Sequence, residues 1–371
     1  MGTDFLTRTT RGRLVLAAVI LVAEFAVLEA ALRMHQAEAA PAFQELFMQD
    51  PQIGYRLRPN ANATYTTIEF STNLHINAQG VREDADIGPK APGERRIVVL
   101  GDSLVMSVQV ESQQTYCHLL EQKLNAAGSG TRWRVINAGV QGYGPVDQWL
   151  FYRHFVEQFQ ADVVLVVAFV GNAAAAIDKE SWLDGDARPP EAAHESLPAR
   201  AQRVVRSSIV YQLMRMRWDQ LRARFISPTR EPALSTYLAD PPPTVGRGLE
   251  VTRKAIGRIA DRAAANHAKT AVVLMPARFQ VEDGDFGRLS AAIADAGGTL
   301  VRNAATDRYR DALAPLGLPT YDLLPVLFAQ PQRENLFFQR NVHLTERGHR
   351  VVADALFQFL STSGLVAPPP R

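Results

Sequence analysis

The sequence has a single cysteine among its 371 residues, Cys117, and almost no excess of charge of either sign. One cysteine excludes an internal disulfide and a paired-cysteine metal site. Its position in TYCHLLEQKL, at helical spacing, predicts a small buried side chain rather than a reactive thiol. The formal net charge is +2 and no stripe of Lys and Arg carries interleaved aromatic residues, which argues against a nucleic-acid partner.

What the sequence does have is apolar material. Apolar residues make up 47% of the chain and charged residues 21%, which is ordinary for a globular protein. That content is enough to bury a sizeable core in one large domain or two smaller ones.

An apolar run, LVLAAVILVAEFAVLEAAL, covers residues 14–32 near the N-terminus. At about 1.5 Å per helical residue it comes close to crossing a hydrocarbon core of about 30 Å, which predicts a transmembrane anchor over residues 14–33. Three arginines lie within residues 1–13, and only Arg33 follows the run closely. This asymmetry predicts a single-pass protein of the cytoplasmic (inner) membrane, with residues 1–13 in the cytoplasm and the remainder facing the periplasm or the outside.

Two acidic residues, Glu24 and Glu29, weaken the prediction of an anchor. A carboxylate deep in a bilayer costs about 2.5–3.5 kcal/mol on insertion scales. Glu29 can lie near the outer interface, whereas Glu24 lies deeper in the run. A cleaved signal peptide is one alternative, because Ala37-Glu38-Ala39 has the small-x-small form, although it lies well beyond the most apolar stretch. A buried helix of a soluble domain is the other.

Proline, glycine and composition divide the rest of the chain. Residues 34–94 have frequent Pro and Gly and stretches such as ATYTTIEFST, which predict a few short strands packed on the main domain. The main domain is expected over residues 95–365, before a proline-rich tail at 366–371.

An insertion at 173–244 combines a long loop with a basic amphipathic helix at 199–225. This helix is either a solvated face over an apolar stripe or a surface for anionic lipid headgroups or an acidic glycan.

The main domain alternates short apolar runs with segments of helical periodicity, which predicts an α/β fold. Strands alternating with helices form a parallel sheet with helices on both faces, a three-layer α/β/α sandwich. The five predicted strands are RRIVVLGDS from residue 95, WRVINAG (133–139), ADVVLVVAFVGN (161–172), TAVVLMPA (270–277) and LPTYDLLP (318–325). The predicted helices cover residues 115–125, 146–159, 245–267, 286–297 and 344–360.

Chemically useful residues follow the predicted strands, at the sheet edge where open parallel sheets bind ligands. Ser103 lies in the turn after the first strand, where helical amides favour developing negative charge. Gly139 follows the second strand and brings a bare backbone amide close to a ligand, and Asn172 follows the third with a neutral side-chain donor. His343, before the last helix, can take a proton from a serine hydroxyl and return it to a leaving group. Each signal alone is weak, but their order along the chain is specific.

This order of Ser, Gly, Asn and His resembles the SGNH hydrolase superfamily, also called GDSL-type lipases and esterases, over roughly residues 95–362. The stretches DPQIGYRLRPNA, INAQGVRE, RRIVVLGDSL and VINAGVQGYG are similar to membrane-anchored bacterial members associated with envelope polysaccharide. The resemblance implies a flavodoxin-like five-stranded sheet, Ser103 as nucleophile and His343 as general base. It also implies an oxyanion hole of the Ser103 and Gly139 backbone amides and the Asn172 side chain, with no metal and no cofactor.

By the same resemblance, the expected function is that of a serine esterase. It would hydrolyse or transfer an O-acyl group, with acetyl the first expectation, on an extracytoplasmic glycan. A lipid ester is the next substrate expected. The alternative from another class is a catalytically degenerate SGNH domain that binds glycan or assists polysaccharide assembly.

The sequence departs from the family pattern just before the histidine, where the family has an acidic residue. Asn341 and Arg340 occupy those positions. In a serine protease triad, replacing the carboxylate by an amide lowers turnover by about 10⁴, which is why the degenerate alternative stays open. Asn341 is expected to accept a hydrogen bond from the ring of His343, with a backbone carbonyl, Glu334 or Asp322 as alternative partners. Arg340 either disfavours a charged imidazole or binds an anionic substrate.

Two smaller points concern Asn172 and His349. Ala173 and Ala174 follow Asn172, where the family usually has an aspartate. His349 lies six residues beyond His343, a spacing that does not place both on one helix face. It is therefore interpreted as a packing residue and not as a metal ligand.

Overall fold

The computed structural model describes residues 10–37, 41–128, 130–185 and 232–366. The chain divides into two compact units, one of residues 1–41 with 192–226 and one of residues 42–191 with 227–371. The predicted basic helix at 199–225 and nearly all of the predicted tail at 366–371 lie outside the described residues.

The described part of the first unit is one helix, α1 (Thr10–Ala37), which covers the predicted apolar run. Within the described residues, no helix is both long enough and apolar enough to cross a membrane. The prediction of a transmembrane anchor over residues 14–33 is therefore not confirmed. Glu24 and Glu29 lie within α1, and each carboxylate opposes insertion by about 2.5–3.5 kcal/mol.

The second unit contains nine strands and eleven α-helices in its described residues. The strands are β1 (Phe47–Asp50), β2 (Gly54–Leu57), β3 (Asn62–Thr66), β4 (Ser71–His75), β5 (Glu94–Gly101), β6 (Arg132–Gly139), β7 (Val163–Phe169), β8 (Lys269–Met275) and β9 (Thr320–Asp322). The helices are α2 (Pro41–Glu45), α3 (Ser103–Met106), α4 (Tyr116–Ala126), α5 (Pro145–Phe151), α6 (Pro232–Ser235), α7 (Pro243–Ala265), α8 (Arg278–Val281), α9 (Asp283–Asp295), α10 (Ala304–Leu313), α11 (Leu324–Phe328) and α12 (Glu346–Thr362). Short 3₁₀ helices cover Ser112–Gln114, Glu157–Phe159, Ala174–Asp184, Ala314–Leu316 and Arg333–Asn335, and a π-helical turn covers Tyr152–Val156.

The main sheet has five parallel strands in the order β6-β5-β7-β8-β9, which confirms the predicted α/β class and strand number. The chain passes from β5 to β6 on one side and then returns to β7 on the other side of β5. The connections therefore diverge between β5 and β7. The crevice at such a switch point, beyond the carboxyl ends of the strands, is where doubly wound sheets bind ligands.

Both faces of the sheet are buried, because alternate side chains of each strand enter separate cores. Ile97 and Val99 of β5 belong to one apolar cluster, and Val98 and Leu100 to the other. Helices α4 and α12 pack together beside the first cluster, whereas α5, α7 and the 3₁₀ helix at 174–184 pack beside the second. Near-continuous apolar strands such as VVLVVAF suit this position, since neither face meets water.

The segment before the main sheet forms two antiparallel hairpins, β1-β2 and β3-β4. The first hairpin places the Tyr55 ring 5.4 Å from that of Tyr143. The second donates a hydrogen bond from Thr72 Oγ1 to Val108 O at 2.7 Å. These short strands are thus packed on the main domain.

Two of the elements that differ from the sequence-based expectation are α10 and the 3₁₀ helix at 174–184. Helix α10 was not predicted, because half of the residues of AATDRYRDAL are polar or charged. Its buried stripe includes Ala305, Tyr309 and Leu313, spaced four residues apart. Residues 174–184 form a 3₁₀ helix where a long loop was predicted. This helix packs closely on α7 at Gly248, where a Cβ atom would lie 1.9 Å from Ala173 O.

Strand β6 is an edge strand of the main sheet, yet three of its outer backbone amides are bonded. Asn137 N donates to Glu83 Oε1 at 2.8 Å and Val135 N to Glu121 Oε2 at 2.7 Å. Trp133 N donates to Asn125 Oδ1, also at 2.8 Å. Side chains therefore take the place of a sixth strand along this edge.

Candidate active site

Ser103 is the first residue of α3, two residues after the end of β5. Asp102 caps this short helix by accepting a hydrogen bond from Leu104 N at 2.9 Å. The helix turns sharply over the strand ends because two glycines lack side chains. A Cβ atom on Gly101 would lie 2.1 Å from Val105 Cγ2, and one on Gly139 would lie 2.3 Å from Met106 N. The half-buried Ser103 side chain is thereby presented beyond the end of the sheet.

His343 lies in an irregular loop, residues 338–343, between β9 and α12. An antiparallel bridge between Phe337 and Leu344 closes the loop, and Phe338 N donates to His343 O at 3.0 Å. Across 240 residues of sequence, His343 Nε2 lies 2.7 Å from Ser103 Oγ. The structure thus brings together the two residues predicted to exchange a proton.

Asn341 supplies the contact to the other ring nitrogen. Its Oδ1 lies 2.5 Å from His343 Nδ1 and also accepts a hydrogen bond from His343 N at 3.1 Å. An amide oxygen only accepts, so this contact places the ring proton on Nδ1 and leaves Nε2 to accept from the serine. Among the described residues, neither Glu334 nor Asp322 lies within hydrogen-bond distance of the ring; the latter pairs with Arg310 at 2.8 Å.

Burial sets the charge states around this pair. It lowers the pKa of His343 to about 4, so the imidazole is neutral near pH 7 and available as a base. Burial also raises the pKa of Asp102 to about 6, opposed by its hydrogen bonds from Leu104 N and from Asn172. No carboxylate touches the imidazole within the described part of the chain, so desolvation is unopposed at His343.

Asn172 and two backbone amides line the same cavity as the Ser103 hydroxyl. Asn172 is half-buried at the cavity wall, and its Nδ2 lies 3.4 Å from Asp102 Oδ2. In the described residues, no acceptor is bonded to the amide of Ser103 or to that of Gly142, which lines the same cavity. These donors are therefore available to a negatively charged oxygen.

The structure corrects the prediction for Gly139. Its amide already donates to Asn137 Oδ1 at 3.1 Å, and the residue lies beneath α3 rather than at the cavity wall. Its absent side chain permits the close approach of α3. Gly142, three residues later, lines the cavity together with Ser103 and Asn172, and its φ is 80°. In the sequence, Gly142 is the second glycine of NAGVQGYG. It lies in the turn after the strand, whereas Gly139 lies in the strand itself.

Ser103 and His343 line a cavity of about 1060 Å³. One wall is mainly apolar and lies beyond β8 and along α9; it is formed by Leu234, Tyr237, Phe279, Leu289 and Ala292. Ionisable side chains of both signs also line it, including the ion pair of Lys179 with Asp147 at 2.5 Å. The cavity is therefore mixed, with a broad apolar side.

Comparison with known proteins identifies the fold family. The sequence model of the GDSL-like lipase/acylhydrolase family matches residues 99–351. The chain belongs to this family. No curated protein matches the sequence.

Several solved structures are similar to this chain. A lipase/acylhydrolase from Enterococcus faecalis is 14% identical, with 75% of this chain and 99% of that chain covered and a TM-score of 0.41. The esterase EstA from Pseudoalteromonas sp. is 12% identical, covering 72% and 98%, with a TM-score of 0.39. The acetyl xylan esterase AlAXEase is 15% identical, covering 71% and 98%, with a TM-score of 0.40. The membrane-anchored type expected from the sequence is not confirmed by these findings.

His349 and Cys117 have side chains that are reactive in other proteins, but in this GDSL-like chain they are packing residues. His349 is buried, stacks on Tyr116 and accepts from Tyr116 N at 3.2 Å, and burial lowers its pKa to about 3. Cys117 is also buried, which raises the pKa of its thiol. The described residues contain no cluster of three or more side chains suited to hold a metal.

Proposed function

We propose that this chain is a serine hydrolase that cleaves or transfers O-acyl groups, with Ser103 as nucleophile and His343 as general base. The observation that carries the proposal is the 2.7 Å contact between Ser103 Oγ and His343 Nε2, in a chain of the GDSL-like lipase/acylhydrolase family. A hydroxyl bonded to a neutral imidazole, beside unoccupied oxyanion donors, is the arrangement that acyl transfer requires.

The reaction follows from this geometry. His343 Nε2 takes the proton of Ser103 as Oγ attacks the ester carbonyl. The resulting oxyanion accepts hydrogen bonds from the amides of Ser103 and Gly142 and from Asn172 Nδ2. His343 then returns its proton to the departing alkoxide. Water or a sugar hydroxyl repeats the sequence on the acyl-enzyme, which yields hydrolysis or transfer respectively.

The arrangement favours an active enzyme over a degenerate binding module. A degenerate site has no need for an aligned hydroxyl, imidazole and imidazole partner. Here Asn341 Oδ1 lies 2.5 Å from His343 Nδ1 and fixes the tautomer that catalysis needs, although it adds no charge to stabilise imidazolium. We expect turnover below that of an enzyme with a carboxylate at this position.

A fluorophosphonate probe tests the assignment directly, because it reacts with an activated serine. Wild type should be labelled, and Ser103→Ala should not. Ser112→Ala is the matched control, since Ser112 lies outside the cavity lining, and it should be labelled as wild type. Absence of labelling in folded wild-type protein would favour the glycan-binding alternative.

The proposed substrate is an acylated carbohydrate outside the cytoplasm, with acetyl as the first acyl group to test. A lipid ester is the second candidate, and the broad apolar wall of the cavity favours it. Rates on p-nitrophenyl esters of two to twelve carbons separate the two. A maximum at acetate supports the first, whereas a maximum at eight carbons or more supports the second.

We further propose that the catalytic domain acts outside the cytoplasm. The support is the apolar N-terminal run with three arginines before it and one close after it. A reporter that is active only after export, fused after Arg371, should be active. Activity of a cytoplasm-dependent reporter at the same position would contradict it.

A further inference from the structure

The loop that carries the catalytic imidazole makes few bonds of its own. Residues 338–343 have no regular structure, and Val342 is 63% exposed. The bridge between Phe337 and Leu344 fixes the ends of the loop and not its middle. Irregular surface segments with few contacts open easily. Contacts from outside the loop are therefore needed to keep His343 Nε2 at 2.7 Å from Ser103 Oγ.

Arg278 contacts the backbone of this loop from the side of β8. Its Nη1 donates to Phe338 O at 2.8 Å and to Gln339 O at 2.7 Å. The opposite edge of the same guanidinium is bound by Asp285, whose Oδ2 accepts from Nε at 2.7 Å and from Nη2 at 2.5 Å. The Arg278 side chain is 16% exposed and the Asp285 side chain 14%. Asp285 thus fixes one edge of the Arg278 guanidinium, and the other edge binds the loop.

Glu69 also contacts the loop. Its Oε1 accepts from Arg340 N at 2.9 Å, and the neighbouring Phe70 ring lies 5.3 Å from that of Phe338. Glu69 and Phe70 lie in the turn between β3 and β4. The loop is therefore bound from two elements far apart in sequence, immediately before Asn341.

We propose that Arg278 is a positioning residue for catalysis, which clamps residues 338–343 so that His343 stays aligned with Ser103, with Glu69 as the second anchor. The inference rests on the proposed function, because alignment has a consequence for rate only if the pair transfers a proton. Arginine suits the role, since its fork binds a carboxylate and two carbonyls at once, which the single ammonium of lysine does not.

The first experiment compares steady-state hydrolysis of p-nitrophenyl acetate by Arg278→Lys, Arg278→Ala and wild type, well below their unfolding temperatures. A misplacement of about 1 Å lowers rates by as much as about 10². We expect kcat to fall about ten- to a hundredfold in both variants, with KM within about threefold of wild type. Millimolar guanidinium should restore part of the rate of Arg278→Ala.

Arg302→Ala is the matched control. Arg302 is a comparably buried arginine, 24% exposed and paired with Asp283, and it donates to Gln280 O rather than to the loop. It should change stability but not kcat, and guanidinium should not accelerate it. Glu69→Gln, which keeps an acceptor for Arg340 N, should retain more activity than Glu69→Ala. A kcat for Arg278→Ala within twofold of wild type, or an equal loss in Arg302→Ala, would overturn the proposal.

Hydrogen exchange of the loop amides tests the clamp without any turnover. We expect the amide of Arg340 to exchange at least tenfold faster in Arg278→Ala than in wild type or Arg302→Ala. Unchanged exchange overturns the clamp whatever the activity. Inactive wild-type protein with a protected loop would instead count against the proposed function alone.

Discussion

Replacing Asn341 by aspartate places a carboxylate against the ring nitrogen of His343 and so tests the electrostatics of the site. The amide oxygen already lies 2.5 Å from Nδ1, so the substitution changes charge with little change in shape. With charge centres about 4 Å apart and an effective dielectric constant of about 20, the attraction is about 4 kcal/mol. That corresponds to about 3 units of pKa, part of which is offset by the desolvation of the new carboxylate.

The pKa of His343 should therefore rise from about 4 towards 6 or 7 in Asn341→Asp. The imidazole acts as a base only when neutral, so the acidic limb of the pH profile of kcat/KM should move up by about two to three units. Above that limb, stabilised imidazolium in the transition state should raise kcat at least tenfold, the reverse of the effect of removing a triad carboxylate.

The assay is kcat/KM on a p-nitrophenyl ester between pH 4 and pH 9, with Asn341→Ala as control. The alanine variant lacks the acceptor that fixes the tautomer, so it should be slower at every pH without an upward shift of the limb. An acidic limb in Asn341→Asp within half a unit of that of wild type would refute the electrostatic reasoning. So would an alanine variant as fast as wild type.

Three further predictions concern other parts of the chain. Asn172→Ala should lower kcat by about 10²–10³ with little change in KM, as expected for loss of an oxyanion donor; steady-state kinetics measures it. Gly139→Ala should reduce the denaturation midpoint, because its Cβ would lie 2.3 Å from Met106 N; a midpoint equal to that of wild type would contradict the packing role. Burial raises the pKa of Glu83 from 4.5 to about 7, so ionisation removes stability as pH rises through that window. Glu83→Gln should accordingly be more stable than wild type by about 1–3 kcal/mol at pH 8 but not at pH 4, measured by urea denaturation at both pH values.

The elements of the fold that can be predicted are those whose own sequence has a single clear pattern of apolar residues. The apolar runs that became β5 to β8 are buried on both faces, so their composition alone distinguishes them from amphipathic elements. Helix α10 was missed because three apolar positions spaced four apart carry its packing. Most of the rest of that segment is polar, and only the neighbouring elements reveal which face is buried.

The site was predictable to the extent that it depends on strand ends. Ser103, Asn172 and His343 follow or precede regular elements, so their order along the chain indicated that they meet. Gly139 was assigned wrongly because the sequence does not show which amide of a strand and its turn remains unbonded. Arg278 gave no signal, since its role depends on two carbonyls of a loop 60 residues away.

The bonded edge of β6 has a consequence for how this chain meets its own copies. An open strand edge offers amides to any extended segment, including the same strand of another molecule. Here Glu83, Glu121 and Asn125 already occupy three of those donors, and β9 at the other end of the sheet has only three residues. Intermolecular growth of the sheet into fibrils is thereby obstructed at both ends while the domain stays folded.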